Sequence, residues 1–257
     1  MPGDRGTDDI LKLEAVGHNF SGLTVLRNVT FSVGHESIVG LIGPNGSGKT
    51  TLFNAITGFL TPRTGKITYR GQALGNSPIQ ERSRRGMLRT FQTPKVFEHM
   101  TVRENVMVGS CKDTRTTILQ DLFQTPRSRR ELGIISDLAE ETLDKFELSA
   151  LRDTVAGNLT AGQRRILEIA RAVVGKPKLL LLDEPSSGLN HDEIDNLRRW
   201  IVQLRQEGIS VLIVSHDMDL ITVAGIVHVL YFGEIIASGG MDEIKTNARV
   251  REVYLGV

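Results

Sequence analysis

Cys111 is the only cysteine among 257 residues, so the chain can form no intrachain disulfide. A lone thiol suits a reducing compartment, and it reads here as a residue without a function of its own. Charge of one sign is also lacking. The formal net charge is +1, so no global basic field recruits nucleic acid. Long apolar runs are missing as well. Stretches such as Leu179 to Leu182 fall far short of the roughly 20 residues a membrane span requires. Met1 to Asp9 is polar and acidic, lacks the apolar core of a secretory signal, and reads as a loose tail. Internal repeats and low-complexity segments are absent. The expected location is the cytosol, or the cytosolic face of a membrane. The length allows one large or two small domains with an ample core.

What is present is a loop for phosphate. Gly43-Pro44-Asn45-Gly46-Ser47-Gly48-Lys49-Thr50 fits G-x-x-x-x-G-K-[ST] at every fixed position. The apolar run Ile38 to Ile42 before it suits a buried strand. The glycines permit a tight turn whose N–H groups point at anionic oxygens. Lys49 adds a point charge near the β- and γ-phosphates, and the Thr50 hydroxyl can ligate Mg²⁺. A helix from Thr51 to about Thr57 follows, and its N-terminus favours negative charge.

The rest of the chain alternates strands with helices. Strands are expected over Ile10 to Val33, Lys66 to Arg70, Met87 to Phe91, Leu179 to Glu184 and Ser210 to Ser215. A hairpin is expected around Gly233, from Val227 to Ser238. Helices are expected over Ile79 to Arg85, from the capping box Thr101-Val102-Arg103-Glu104 to about Val108, over Asp192 to Glu207 with Gly208 as cap, and over Asp242 to Lys245. The helix after Gln163 places Ile166, Ile169, Ala170 and Val173 on one face and Arg164, Arg165, Glu168 and Arg171 on the others. The basic group Arg127-Ser128-Arg129-Arg130 reads as a solvated face or loop. This order argues for an α/β fold with a mainly parallel sheet covered on both faces. Residues 93–157 read as a helical insertion between core segments 1–92 and 158–257.

Several polar residues sit at strand ends. Asp183 is suited to hold Mg²⁺ beside a phosphate loop. Glu184 follows it and can polarise the water that attacks a γ-phosphate. Gln92 can sense Mg²⁺ or that water, although a lone glutamine reads as a surface amide. His216 can contact a γ-phosphate, although a lone histidine reads as structural. Phe20, in the turn Asn19-Phe20-Ser21-Gly22, reads by itself as a core plug.

Taken in order, the phosphate loop, Gln92, Leu159-Thr160-Ala161-Gly162-Gln163, the apolar strand with Asp183-Glu184, and His216 resemble the ATP-binding cassette family over about residues 10–245. The resemblance implies a P-loop NTPase core with an antiparallel β subdomain and an inserted α-helical subdomain. It implies ATP and Mg²⁺ as cofactors. ATP would be bound by Gly43, Pro44, Asn45, Gly46, Ser47, Gly48, Lys49, Thr50 and Thr51, with Phe20 stacked on adenine. Thr50, Gln92 and Asp183 would hold the metal, and Glu184, His216 and Gln92 would serve hydrolysis. Thr160, Ala161, Gly162 and Gln163 match the family signature, with threonine for the usual serine and alanine for a usual glycine. They would bind the nucleotide of a second cassette paired head to tail. Ser187-Gly188-Leu189-Asn190 matches the loop that contacts that partner. Membrane permease subunits would dock on the helical section, and Gln92-Thr93-Pro94 would form the junction.

Arg89 to Pro94, Thr125 to Arg130, the variant signature, Gly188-Leu189-Asn190 and Val253-Tyr254-Leu255-Gly256 are similar to ATPases of branched-chain amino acid uptake. Relatives of that branch take up urea or amides, or export lipopolysaccharide. A soluble cassette acting in repair, cluster assembly or translation is the reading from another class.

Overall fold

The computed structural model describes residues 9–110 and 126–255. Cys111, Thr125, Gly256 and most of the expected tail lie outside the described residues, as do the side chains of Arg127, Ser128 and Arg129. Packing divides the chain into two units. The first comprises Met1–Arg89, Lys178–Ser186 and Ile194–Val257, and the second Thr90–Pro177 and Ser187–Glu193.

The first unit carries two sheets. Strands β1 (Asp9–Phe20), β2 (Leu23–Gly34), β4 (Thr64–Tyr69) and β5 (Gln72–Ala73) form an antiparallel sheet in the order β2-β1-β4-β5. The turn between β1 and β2 is Ser21-Gly22, with φ of 43° and 94°. Two successive positive φ angles match the right-handed twist of the flanking strands. The second sheet contains β3 (Ile38–Ile42), β6 (Met87–Arg89), β7 (Leu179–Asp183), β8 (Ser210–Val214), β9 (Ile226–Tyr231) and β10 (Glu234–Gly239), in the order β10-β9-β3-β8-β7-β6. Pairing is parallel from β9 to β6, and β10 is antiparallel to β9. Every residue of β3, β7 and β8 is buried, as expected of parallel strands covered on both faces.

One apolar cluster joins both sheets to the helix Lys49–Thr57 through Leu11, Val33, Phe53, Ile56, Tyr69, Leu181 and Leu212. That helix is also secured at its C-terminal end. The buried Arg82 guanidinium donates to the carbonyls of Ala55 at 2.8 Å and Ile56 at 2.7 Å. These carbonyls lack intrahelical partners, so the arginine satisfies groups that are costly to leave bare.

The second unit is helical. Val102–Ser110 packs on both Pro126–Lys145 and Ala161–Val173. A Cβ on Gly109 would lie 2.1 Å from the Arg171 carbonyl, so glycine is what permits that approach. The expected box at Thr101 is present: Glu104 N donates to Thr101 Oγ1 at 3.2 Å and Thr101 N to Glu104 Oε2 at 2.7 Å.

The packing boundary differs from the expected insertion 93–157. Ala161–Val173 belongs with the helical unit, because it packs against Val102–Ser110 and the segment 91–95. Burial on this helix extends beyond the expected apolar face. Arg165 and Glu168, expected on its other faces, are 1% and 3% exposed. The helix Ala248–Leu255 was not anticipated.

Candidate functional site

The phosphate-loop sequence connects the end of β3 to the helix Lys49–Thr57. Its shape depends on glycine at three points. A Cβ on Gly43 would sit 2.2 Å from the Leu230 carbonyl oxygen, and Gly46 and Gly48 have φ of 79° and 107°. The loop closes on itself where Ser47 N donates to the Pro44 carbonyl at 3.2 Å. It is tied outward by the turn between β9 and β10. Gly233 N donates to the Ser47 carbonyl at 2.9 Å, while the Gly233 carbonyl accepts from Arg27 N at 2.8 Å.

Gly48 caps the helix without a side chain, so no side-chain oxygen occupies its first N–H groups. Such a terminus suits an anion. The buried Ser47 hydroxyl has no hydrogen-bond partner among the described residues, an orphaned polar atom in the same cradle. Lys49 Nζ lies over the loop and donates to the Gly43 carbonyl at 2.7 Å and the Pro44 carbonyl at 2.9 Å. Burial pulls its ammonium below the usual lysine range; the Glu184 and Asp183 carboxylates oppose that fall. Thr50 is exposed at the helix start. A glycine cradle, a free helix terminus, an orphaned hydroxyl and a lysine together fit a polyphosphate. Hard oxygen donors, the Thr50 hydroxyl and the Asp183 carboxylate, fit Mg²⁺, which usually takes few protein ligands alongside substrate phosphate.

Asp183 ends β7, in register with Val214 of β8. Its Oδ2 accepts from Arg89 Nη2 at 2.7 Å in a pair whose side chains are 7% and 6% exposed. Arg89 also donates to Asn54 Oδ1 at 2.7 Å, within the helix that follows the loop. Its guanidinium lies 5.4 Å from the centre of the Phe53 ring. A hydrogen-bonded cation therefore fixes the carboxylate at the sheet edge. Glu184 has φ of 49°, which ends the regular alternation of the strand after Asp183. Its Oε2 lies 2.8 Å from His216 Nδ1 and accepts from His216 N at 3.3 Å. The histidine ring is 74% exposed. Lys49, Asp183, Glu184 and His216 thus lie at or beyond the carboxyl ends of the parallel strands β3, β7 and β8, where open α/β sheets place ligands.

Phe20 is 48% exposed at the end of β1, edge-on to His18 at 4.6 Å. It is no core plug, and an open ring face is compatible with stacking.

The remaining candidates belong to the second unit. Thr160 caps Ala161–Val173 in a reciprocal box. Gln163 N donates to Thr160 Oγ1 at 3.2 Å and Thr160 N to Gln163 Oε1 at 3.0 Å. Ala161 is exposed and Gly162 buried. A Cβ on Gly162 would meet the Glu193 carboxylate at 2.8 Å. Glu193 Oε2 in turn accepts from Asn190 N at 2.8 Å, so the loop Ser187 to Asn190 is set against the signature segment. The Gln92 side chain is exposed, and its carbonyl accepts from Arg165.

Arg89, Arg165 and Glu168 are polar residues of consequence that sequence reasoning missed. The only signal for Arg165 and Glu168 was their spacing of three on one helix, which allows a side-chain pair.

Comparison with known proteins gives concordant results. The family profile described as ABC transporter matches residues 26–187, and the one described as branched-chain amino acid ATP-binding cassette transporter matches residues 234–257. The chain is 37% identical to the high-affinity branched-chain amino acid transport ATP-binding protein BraF of Pseudomonas aeruginosa, over 96% of this chain and 98% of that one. It is 38% identical, with the same coverage of both chains, to LivG of Escherichia coli strain K12, which carries the same description. A crystal structure of an ATP-binding cassette of an ABC transporter in its ADP conformation superposes with a TM-score of 0.83. That match has 32% identity over 97% of this chain and 99% of the other. Phosphate cradle, strand-end carboxylates, signature and whole-length likeness agree, and the chain belongs to the ATP-binding cassette family of transporter ATPases.

Proposed function

We propose that this ATPase energises uptake of leucine, isoleucine and valine across a membrane, from a peripheral position on its cytoplasmic face. Support for the cargo comes from kinship. The relatives named above serve branched-chain amino acids, and that subfamily's profile covers the segment from Glu234 to Val257. Among the described residues no helix is long and apolar enough to cross a membrane. By the same kinship, separate permease subunits would carry the cargo, and a binding protein on the far side would deliver it.

The observation that carries the chemistry is the alignment of the Lys49 loop, Asp183 and the Glu184–His216 pair at one sheet edge. Lys49 and the loop N–H groups bind the phosphates, and Phe20 stacks on the adenine. Thr50, Asp183 and Gln92 would hold Mg²⁺, which neutralises phosphate charge when bound. Glu184 orients the attacking water and takes its proton, and His216 holds that carboxylate in place. Thr160 to Gln163 meet the nucleotide of a second cassette, through the helix N-terminus at Ala161 and Gly162. Closure of the pair on ATP, and its release after hydrolysis, couples nucleotide to permease.

Deletion of the gene should lower uptake of labelled leucine, and Lys49→Ala should fail to restore it. Unchanged leucine uptake alongside lost urea or amide uptake would move the protein to a sister branch. Unchanged uptake of all of these, with no membrane partner recovered, would favour a soluble cassette.

A further inference from the structure

Within the helical unit one buried ion pair spends its hydrogen bonds on a single stretch of backbone. Arg165 Nη1 donates to Glu168 Oε2 at 3.1 Å, and both side chains are almost fully shielded from solvent. Glu168 Oε1 accepts from Phe91 N at 3.2 Å and from Lys95 N at 3.1 Å. Arg165 donates to the carbonyls of Phe91 and Gln92. Arg171, one turn further along, donates to the Lys95 carbonyl and lies 5.1 Å from the centre of the Phe97 ring. Main-chain groups on both sides of Gln92 are thus held by side chains of the helix Ala161–Val173.

Isolated burial of this kind is costly. A buried ion pair gains little over an apolar pair of the same volume, whereas breaking one leaves an uncompensated charge. Packing alone does not require it here, because apolar residues could fill the same space. What the pair supplies instead is directional. Two acceptor bonds and two donor bonds fix the 91–95 backbone against translation and rotation, which dispersion contacts cannot do.

We propose that Arg165 and Glu168 are positioning residues that lock the Gln92 loop to the signature helix, so that displacement of Gln92 is delivered at Ala161 and Gly162. The helix supplies the lever. Glu168 and Gly162 are six residues apart, about 9 Å along a stiff α-helix. Gly162 lies at the end that Thr160 caps and Glu193 abuts, so the loop Ser187 to Asn190 shares the displacement. This inference rests on the roles proposed above for Gln92 and the signature.

The test uses the full chain with MgATP and four variants: Glu168→Ala, Glu168→Gln, Gln92→Ala and the double Gln92→Ala/Glu168→Ala. In Glu168→Ala, hydrogen exchange at the Phe91 and Lys95 amides should speed up by roughly ten-fold or more, because both lose their acceptor. Nucleotide affinity of the monomer, set by the Lys49 loop, should stay within about two-fold, which also reports folding. Turnover should fall by about ten-fold at unchanged KM, the signature of an interaction made on the way to the transition state. Glu168→Gln keeps an acceptor oxygen and should recover part of both losses. The double variant should turn over no more slowly than the slower single one, since both act through the same loop. Multiplying losses in the double variant would overturn the proposal, as would faster exchange in Glu168→Ala with normal turnover. Normal turnover in Gln92→Ala together with impaired turnover in Glu168→Ala would instead remove the role given to Gln92 and leave the lock acting on the signature by another route.

Discussion

Glu184 occupies a left-handed backbone conformation, φ 49°, that costs an ordinary residue about 1 kcal/mol. Its amide donates to the Val214 carbonyl at 2.8 Å, which keeps the turn attached to β8. The turn brings its carboxylate to His216 while Asp183 stays with Arg89. Two adjacent acids thus have different partners, and different substitutions should separate their roles from that of Lys49. Glu184→Gln retains an oxygen for His216 but cannot take a proton from water. It should bind ATP normally, lose roughly 10²–10⁴-fold in turnover, and accumulate an ATP-bound pair of cassettes. Lys49→Ala should weaken nucleotide binding itself. Equilibrium titration and phosphate release distinguish the two, and near-normal turnover in Glu184→Gln would place the base elsewhere. Lys49, Asp183 and Glu184 were legible in the sequence because each follows an apolar strand in a fixed order. Arg89, Arg165 and Glu168 were not. A charged residue in a periodic pattern reads as solvated, and the atoms that Glu168 holds are 77 and 73 residues away in the chain.

At the scale of elements, the start of the helix Ala161–Val173 separates two neighbouring small residues. Ala161 follows the cap and its side chain is exposed. Its φ is not among the positive ones, so the extra methyl meets no backbone strain. Ala161→Gly should change turnover little while costing the helix up to about 1 kcal/mol. Gly162 differs, because an added Cβ runs into the Glu193 carboxylate. Gly162→Val should abolish ATPase activity and leave ATP binding by the monomer intact. Equal loss of monomer binding would mean that the segment does not face a partner's nucleotide. Strand and helix order was readable from periodicity, including the hairpin around Gly233 and the box at Thr101. The allegiance of this helix was not, because an amphipathic stripe shows that one face is buried and not against what.

For the whole molecule, acid stability has an identifiable contributor. His228 in β9 is 7% exposed, packed 4.8 Å from the Phe31 ring centre, with Nδ1 2.7 Å from Ser238 Oγ. Burial lowers its pKa from 6.5 to about 4. An unfolded chain takes up a proton as the pH drops through 6.5, whereas the folded one resists until about 4. The stabilisation is therefore complete above that window and lost on descending through it. Between pH 7 and pH 5 it amounts to about 2 kcal/mol. Melting curves at the two pH values should show a smaller acid-induced drop for His228→Leu than for the parent chain. An equal drop would assign the acid sensitivity to other groups.

The hydrogen bond from Gly233 to the Ser47 carbonyl also bears on how the protein is made. β3, which leads into the nucleotide loop, lies between β8 and β9, both from the last quarter of the chain. Translation delivers residues 38–50 early, but their two flanking strands and the Gly233 clasp emerge from the ribosome roughly 160–190 residues later, about 10–40 s at ordinary elongation rates. Until then the loop has its sequence without its frame, and the growing polypeptide should have no affinity for ATP. Stalled nascent chains ending near residue 222 should fail to retain a fluorescent ATP analogue, while those carrying residue 239 well clear of the exit tunnel should hold it. Nucleotide binding would then act as a late proofreading signal, available only to chains synthesised past the turn between β9 and β10.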